Sequence, residues 1–174
     1  MASLKQIHSA ICQRTVEAVL VGEGDALISD RVAVSVRTAD CLPVLLADER
    51  RNIVAAVHAG WRGTAARIVQ AALREMGSDP RDVIAAIGPG IGVCCYHVGE
   101  DVARQFGRES AGCVDLAAAN FEQLRESGVE RIDVVKACTF CDAERFHSFR
   151  RDKENAGRMI SFIRPTPGLT ARAV

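Results

Sequence analysis

Residues 38–63 read TADCLPVLLADERRNIVAAVHAGWRG. Two apolar runs, Leu42–Leu46 and Ile53–Val57, flank the polar stretch DERRN. Their length and β-branched content favour strands, and the polar break between them reads as the turn of a β-hairpin. A turn near Arg50 folds the second run back along the first. Cys41 opens one run and His58 closes the other, so this reading brings a thiol and an imidazole to the same end of a sheet.

Other strand-like runs are Val16–Val21, Val32–Val36, Val83–Ile87, Ile132–Val135 and Met159–Ile163. Thr64 to Met76 carries Ile68, Val69, Ala72, Leu73 and Met76 at helical spacing, with Gly77 suited to the C-terminal stop. Asp115 to Arg125 predicts a second helix, with Asp115 as N-cap and Gly128 just beyond its end. A shorter helix is expected from Gly99 to Phe106. Interspersed strands and helices predict a mixed α/β or α+β fold. The chain shows no repeat or linker and reads as one domain over residues 1–174, with the tail from residue 165 expected to fray.

Composition narrows the classes of function. With 174 residues, 48% of them apolar and 25% charged, the chain can bury a real core and resembles an ordinary soluble protein. Its formal net charge is zero, so no electrostatic footprint points to nucleic acid or an anionic membrane. No signal-peptide layout opens the chain, and no apolar run is long enough to span a bilayer. Seven cysteines are an odd number for a disulfide framework, which favours reduced thiols and a cytoplasmic setting.

Thiolate and imidazole are preferred donors for Zn²⁺, so Cys41 and His58 are candidate ligands. The competing reading is a buried cysteine and a structural histidine. A catalytic zinc needs a third protein ligand. His8, in QIHSA, is one candidate, and His97 and His147 compete with it. Cys138-Thr-Phe-Cys141 has the C-x-x-C spacing of a redox or zinc motif, but no second such pair follows, which favours packing or turn duty. Gly88-Pro89-Gly90-Ile91-Gly92 follows the run VIAAI. It is either a tight turn or an N–H cradle for an anion, and it lacks both standard nucleotide-binding spacings. Arg62 lies just before the helix expected from Thr64, where a guanidinium suits phosphate or carboxylate; the alternative is a solvated surface arginine. Arg150, Arg151 and Arg158 carry the same two readings.

Taken in order, TADCLPVLL, VAAVHAGWRGT, IGPGIGVCCYHVGEDV, VDLAAAN, ACTFC and RFHSFRRDKENAGRM resemble the laccase-domain proteins. That family was once called multicopper polyphenol oxidoreductases and is now described as zinc-dependent purine nucleoside phosphorylases. The resemblance runs from Gln6 to Ile163. It implies a zinc ion held by His8, Cys41 and His58, and a four-layer α/β/β/α sandwich of mixed sheets flanked by helices. It also implies phosphorolysis of adenosine, inosine and guanosine, cleavage of S-methyl-5′-thioadenosine, and deamination of adenosine. The expected partners are purine nucleosides and phosphate, with no nucleic acid or membrane, in a monomer or homodimer.

Arg62 is then the candidate for holding phosphate. Asp40, beside Cys41, is a candidate for orienting water or moving a proton, the alternative being a turn aspartate. Two departures stand out. His97 occupies a place where many members carry glutamate, and the chain begins close to His8, which gives the expectation of a shortened N-terminus. Copper laccase chemistry is disfavoured, because copper centres rely on many imidazoles and the chain has four histidines. A metal-free cysteine hydrolase using Cys41 and His58 and a non-enzymatic, partner-binding remnant are the competing readings.

Overall fold

The computed structural model describes residues 1–166. The expected hairpin is its central feature. Strands β6 (Leu42–Asp48) and β7 (Ile53–Ala59) pair antiparallel, with Leu42 opposite Ala59 and Pro43 opposite His58. The turn is closed by Asp48, whose Oδ1 accepts the backbone N–H groups of Arg50 and Arg51 at 3.0 Å each, an aspartate turn that fixes the register.

Around the hairpin lie β1 (Ser3–Lys5), β2 (Cys12–Arg14), β3 (Leu20–Glu23), β4 (Ala26–Ser29) and β5 (Val34–Thr38) on its N-terminal side. After it come β8 (Val83–Ile87), β9 (His97–Val98), β10 (Gly112–Cys113), β11 (Arg131–Val134) and β12 (Met159–Ile163). A six-stranded mixed sheet runs in the order β11-β8-β6-β7-β4-β2, with its outer pairs parallel and its central pairs antiparallel. Period-two alternation divides its side chains between two cores. Ile28, Val44, Leu46, Ala55 and Val57 face helices α2 (Ile68–Met76) and α4 (Leu116–Glu126), while Leu27, Val54 and Ala56 face Val34, Val36, Ala2 and Leu4. The second strand layer is made of β12 against β5 and β1 against β3, joined by a bridge between Ala2 and Val34.

The chain is thus a mixed α/β protein with mixed sheets. Three of the four layers implied by the resemblance are helices, six-stranded sheet and second strand layer. The outer face of the last leaves Ile160 and Phe162 exposed.

Several boundaries differ from expectation. The helix expected over Thr64–Met76 is broken into α1 (Trp61–Ala65) and α2, because Arg67 between them adopts left-handed backbone, φ 60°. The apolar stripe of α2 is as expected: Ile68, Val69, Ala72, Leu73 and Met76 are all buried, each worth about 1.5–3 kcal/mol relative to exposure for the larger side chains. Asp115 caps α4 as expected, its Oδ1 accepting from Ala118 N at 2.9 Å. The shorter expected helix is α3 (Glu100–Arg104), and a further short helix, α5 (Phe149–Asp152), carries Arg150 and Arg151. The run Val16–Val21 becomes strand only from Leu20. Of the tail expected to fray, Pro165 is buried and Thr166 exchanges backbone hydrogen bonds with the Asn52 side chain; residues 167–174 lie outside the described residues. No helix among the described residues is long and apolar enough to cross a membrane.

Candidate metal centre

His58 ends the buried strand β7, and Cys41 directly precedes β6, so the hairpin register sets them side by side at one sheet end. His8 arrives from a different layer, on the segment between β1 and β2, with left-handed backbone at φ 59°. One donor atom from each of His8, Cys41 and His58 lies within 4.8 Å of the others. The two imidazoles meet edge to face with centroids 4.8 Å apart. His8 is exposed, Cys41 half-buried and His58 buried, so the cluster opens to solvent on one side.

Asp25 organises this convergence, and sequence reasoning missed it. It is fully buried at the start of β4. Its Oδ1 accepts from His58 Nδ1 at 2.7 Å and from His8 N at 3.0 Å. Its Oδ2 accepts from Ser9 N at 2.6 Å, Ser9 Oγ at 2.7 Å and Ile7 N at 3.3 Å. A carboxylate can only accept, so His58 carries its proton on Nδ1 and turns Nε2 outward as a donor. The same carboxylate pins the strained His8 segment. Burial pushes the Asp25 carboxyl up, but His58 and Ser9 outweigh it and bring its pKa to about 2. Burial likewise opposes charge on His58 and Cys41. Asp25 and Cys41 nevertheless raise His58 to about 9, and the two imidazoles lower Cys41 to about 7.

The glycines of HAGWRG make room for this. A Cβ at residue 60 would stand 3.0 Å from Cys41 Sγ and 3.3 Å from His8 Cδ2. One at residue 63 would stand 3.0 Å from Ser9 O. Contacts this tight would force the neighbours to shift, so Gly60 and Gly63 let the His8–Ser9 segment lie close against the hairpin's end.

Asp40 is 9% exposed, and its carboxylate is fully engaged by the protein. Oδ1 accepts from Thr139 Oγ1 at 2.7 Å and Oδ2 from Arg150 N at 2.6 Å, while its carbonyl accepts from Ile91 N at 2.8 Å. With φ 83° it makes the sharp turn that presents Cys41. The glycine-rich loop after β8 lies against this turn. Gly88 N donates to Pro43 O and Gly92 N to Cys138 Sγ, so these N–H groups serve the protein's own packing and not an anion cradle.

Arg62 opens α1, its guanidinium 4.3 Å over the Trp61 ring. Arg150 lies 5.4 Å over Tyr96 and donates to His97 O at 3.0 Å. Burial raises the Tyr96 hydroxyl to about 12, with the Cys41 charge adding to the rise and Arg150 and Arg62 opposing it. A cleft of about 350 Å³ adjoins the cluster, lined by His8, His58, Gln6, Arg37 and Arg158 among others. The competitors for the third-ligand role are elsewhere: His97 is exposed on β9, and His147 packs on Gly157.

Cys138 and Cys141, read as a pair without a partner, have one. It is the adjacent pair Cys94-Cys95, whose spacing carries no C-x-x-C signature; the four sulfurs lie within 4.8 Å of one another.

Fold and geometry together describe a mixed α/β protein with two imidazoles and a thiol converged at the end of its central hairpin. The sequence matches the family described as multi-copper polyphenol oxidoreductase laccase over residues 1–166. A Clostridium acetobutylicum protein named purine nucleoside phosphorylase is 39% identical, over 92% of this chain and 75% of its own length. A protein from an unknown prokaryotic organism, named adenosine deaminase RL5, is 36% identical over 84% of this chain and 64% of its own. The crystal structure of a Neisseria meningitidis protein of the DUF152 family superposes with a TM-score of 0.86 at 35% identity, covering 94% of this chain and 74% of that one. The chain belongs to this family.

Proposed function

We propose that the protein is a zinc-dependent purine nucleoside phosphorylase that also deaminates adenosine, with His8, Cys41 and His58 holding the metal. One observation carries the reading: three donor side chains from two layers converge within 4.8 Å, with a buried carboxylate orienting one imidazole. Carboxylate–histidine pairs of this kind orient and strengthen metal ligands. Two imidazoles and a thiolate with an exposed side fit a three-ligand zinc with an open position. The names of the relatives support purine nucleosides and phosphate as substrates; S-methyl-5′-thioadenosine is a further phosphorolysis substrate that only the sequence resemblance implies.

Zinc bound there supplies Lewis acidity towards an oxygen atom of the reacting partners. The chain's own residues do the rest. Arg62 and Arg150 supply positive charge beside the cluster, where phosphate must lie against the sugar as positive charge develops on it. Trp61 and Tyr96 hold those guanidinium groups by their ring faces. The cleft next to His8 and His58 offers volume for the nucleoside, in the range of small-molecule sites. Asp40, held by Thr139 Oγ1 and Arg150 N, presents Cys41 and is the candidate beside it for orienting water or moving a proton.

The chain Asp25–His58–Cys41 also matches the base–orienter logic of a metal-free cysteine hydrolase. Elemental analysis together with inosine and adenosine turnover separates the two. Stoichiometric zinc, with both turnovers lost in Cys41→Ser, is expected. A zinc content unchanged by Cys41→Ser, in a protein without nucleoside turnover whose Cys41 is alkylatable, would favour the hydrolase.

A further inference from the structure

Cys94 and Cys95 follow the glycine-rich loop after β8, and Cys138 and Cys141 occupy the turn before Asp142. A parallel bridge between Gly90 and Cys138 and the hydrogen bond from Thr139 N to Gly90 O, 3.0 Å, join these two segments. All four sulfurs lie within 4.8 Å of one another, with Cys95 Sγ 3.3 Å and Cys94 Sγ 3.9 Å from Cys141 Sγ. A zinc ion bound by four sulfurs at about 2.3 Å in a tetrahedron spaces them about 3.8 Å apart. These distances bracket that spacing and exceed the roughly 2.05 Å of a disulfide. All four cysteines are free.

The surroundings are built for a cage. Gly92 N donates to Cys138 Sγ at 3.2 Å, the kind of N–H···S contact that supports a metal-bound thiolate. A Cβ at residue 92 would stand 3.1 Å from Cys138 Cβ and 3.2 Å from Cys94 Sγ, so glycine keeps the space open. Arg151 wraps the far side of the turn, donating from Nη1 to Thr139 O and Phe140 O and from Nη2 to Phe146 O.

We infer that Cys94, Cys95, Cys138 and Cys141 form a second, structural zinc site that clamps the glycine-rich loop to the Cys138–Cys141 turn. The clamp has a functional consequence. Thr139, between the two turn cysteines, holds the Asp40 carboxylate, and Ile91 N holds the Asp40 carbonyl. Asp40 makes the turn that presents Cys41. A tetrathiolate zinc therefore fixes, from a distance, the geometry of the first cluster without touching substrate. Soft sulfur ligands in a closed tetrahedral set select zinc and leave no open position for catalysis.

The test is metal stoichiometry on the full chain purified under reducing conditions. The wild type should hold two zinc ions, Cys94→Ser/Cys141→Ser one, and Cys41→Ser/His58→Ala one. The zinc left in the last variant should show four sulfur neighbours and no nitrogen by X-ray absorption. Circular dichroism checks that each variant folds. Nucleoside turnover in Cys94→Ser/Cys141→Ser should fall while its remaining zinc stays bound. A single zinc in the wild type that is lost in Cys41→Ser/His58→Ala would overturn the inference, as would a Cys95–Cys141 disulfide in the reduced protein. If the only zinc instead survives that variant with four sulfurs, the second site stands and the zinc reading of the first site falls, so the two failures are distinguishable.

Discussion

Asp25 spends one carboxylate on two tasks, fixing the His58 tautomer and anchoring the segment from Ile7 to Ser9. Asn at this position keeps the shape but turns an amide N–H₂ towards backbone N–H donors or towards His58 Nδ1–H. Asp25→Asn should therefore weaken zinc binding about 10–100-fold, the usual cost of losing an orienting partner. It should also cost about 1–3 kcal/mol of stability through unpaired buried donors. Competition with a chromogenic chelator checks the first; unchanged affinity would mean that the His58 orientation is set without Asp25. Arg62 is a different kind of residue, exposed and held by one ring face. Deamination needs no phosphate and phosphorolysis does, so Arg62→Ala should slow inosine phosphorolysis more than adenosine deamination. Loss of a charge-assisted hydrogen bond, about 1.5–3 kcal/mol, corresponds to roughly ten- to a hundred-fold in rate. Equal loss of both activities, with zinc retained, would assign Arg62 to the shape of the site and not to phosphate.

Between elements, α4 holds α1 in place. Asn120 is fully buried and donates from Nδ2 to Thr64 Oγ1 at 2.9 Å and to Leu116 O at 2.8 Å; Gln123 Nε2 donates to Thr64 O at 2.8 Å. Thr64 belongs to α1, which also carries Trp61 and Arg62, so these bonds hold the short helix that a five-residue propensity alone would not. Asn120→Ala should destabilise the fold by about 1–3 kcal/mol, because Thr64 Oγ1 loses its buried partner. Urea denaturation measures this, and zinc content should not change. The same elements show what the sequence could tell. The hairpin β6–β7, the stripe of α2 and the cap of α4 were legible because each is a local pattern: alternation, period 3.6, or a side chain over the first turn. The break at Arg67 was not, since Thr64–Met76 has no Gly or Pro inside it and tertiary bonds to Thr64 decide where α1 stops. Strands β1, β2 and β4 are three or four residues long, too short for periodicity, and β4 is buried on both faces. Asp25 escaped notice for the same reason, sitting in GEGDALISD, which reads as a loop. Cys94-Cys95 became a partner for Cys138 and Cys141 only through a contact some 46 residues apart in sequence.

At the scale of the molecule, the donors His8, Cys41 and His58 come from both strand layers. His8 follows β1 of the second layer, whereas Cys41 precedes β6 and His58 lies in β7, at one end of the six-stranded sheet. A metal held by all three staples the layers together, so binding contributes to the stability of the whole fold and not only to chemistry. Free zinc a hundredfold above its dissociation constant stabilises by about 2.7 kcal/mol, roughly 5–10 °C in Tm for a chain of this size. In a Cys94→Ser/Cys141→Ser background, where only this site responds, added zinc should raise Tm by that amount and a chelator should reverse it. His8→Ala should remove most of the rise, since the remaining pair lies within one hairpin. Acid should act in the same direction as chelation, because thiolate and imidazole must both lose protons to bind metal. Differential scanning fluorimetry across zinc concentration and pH reads all of these. A Tm indifferent to zinc in that background, with His8 intact, would mean that the three donors bind no metal and that Asp25 anchors the His8 segment without one.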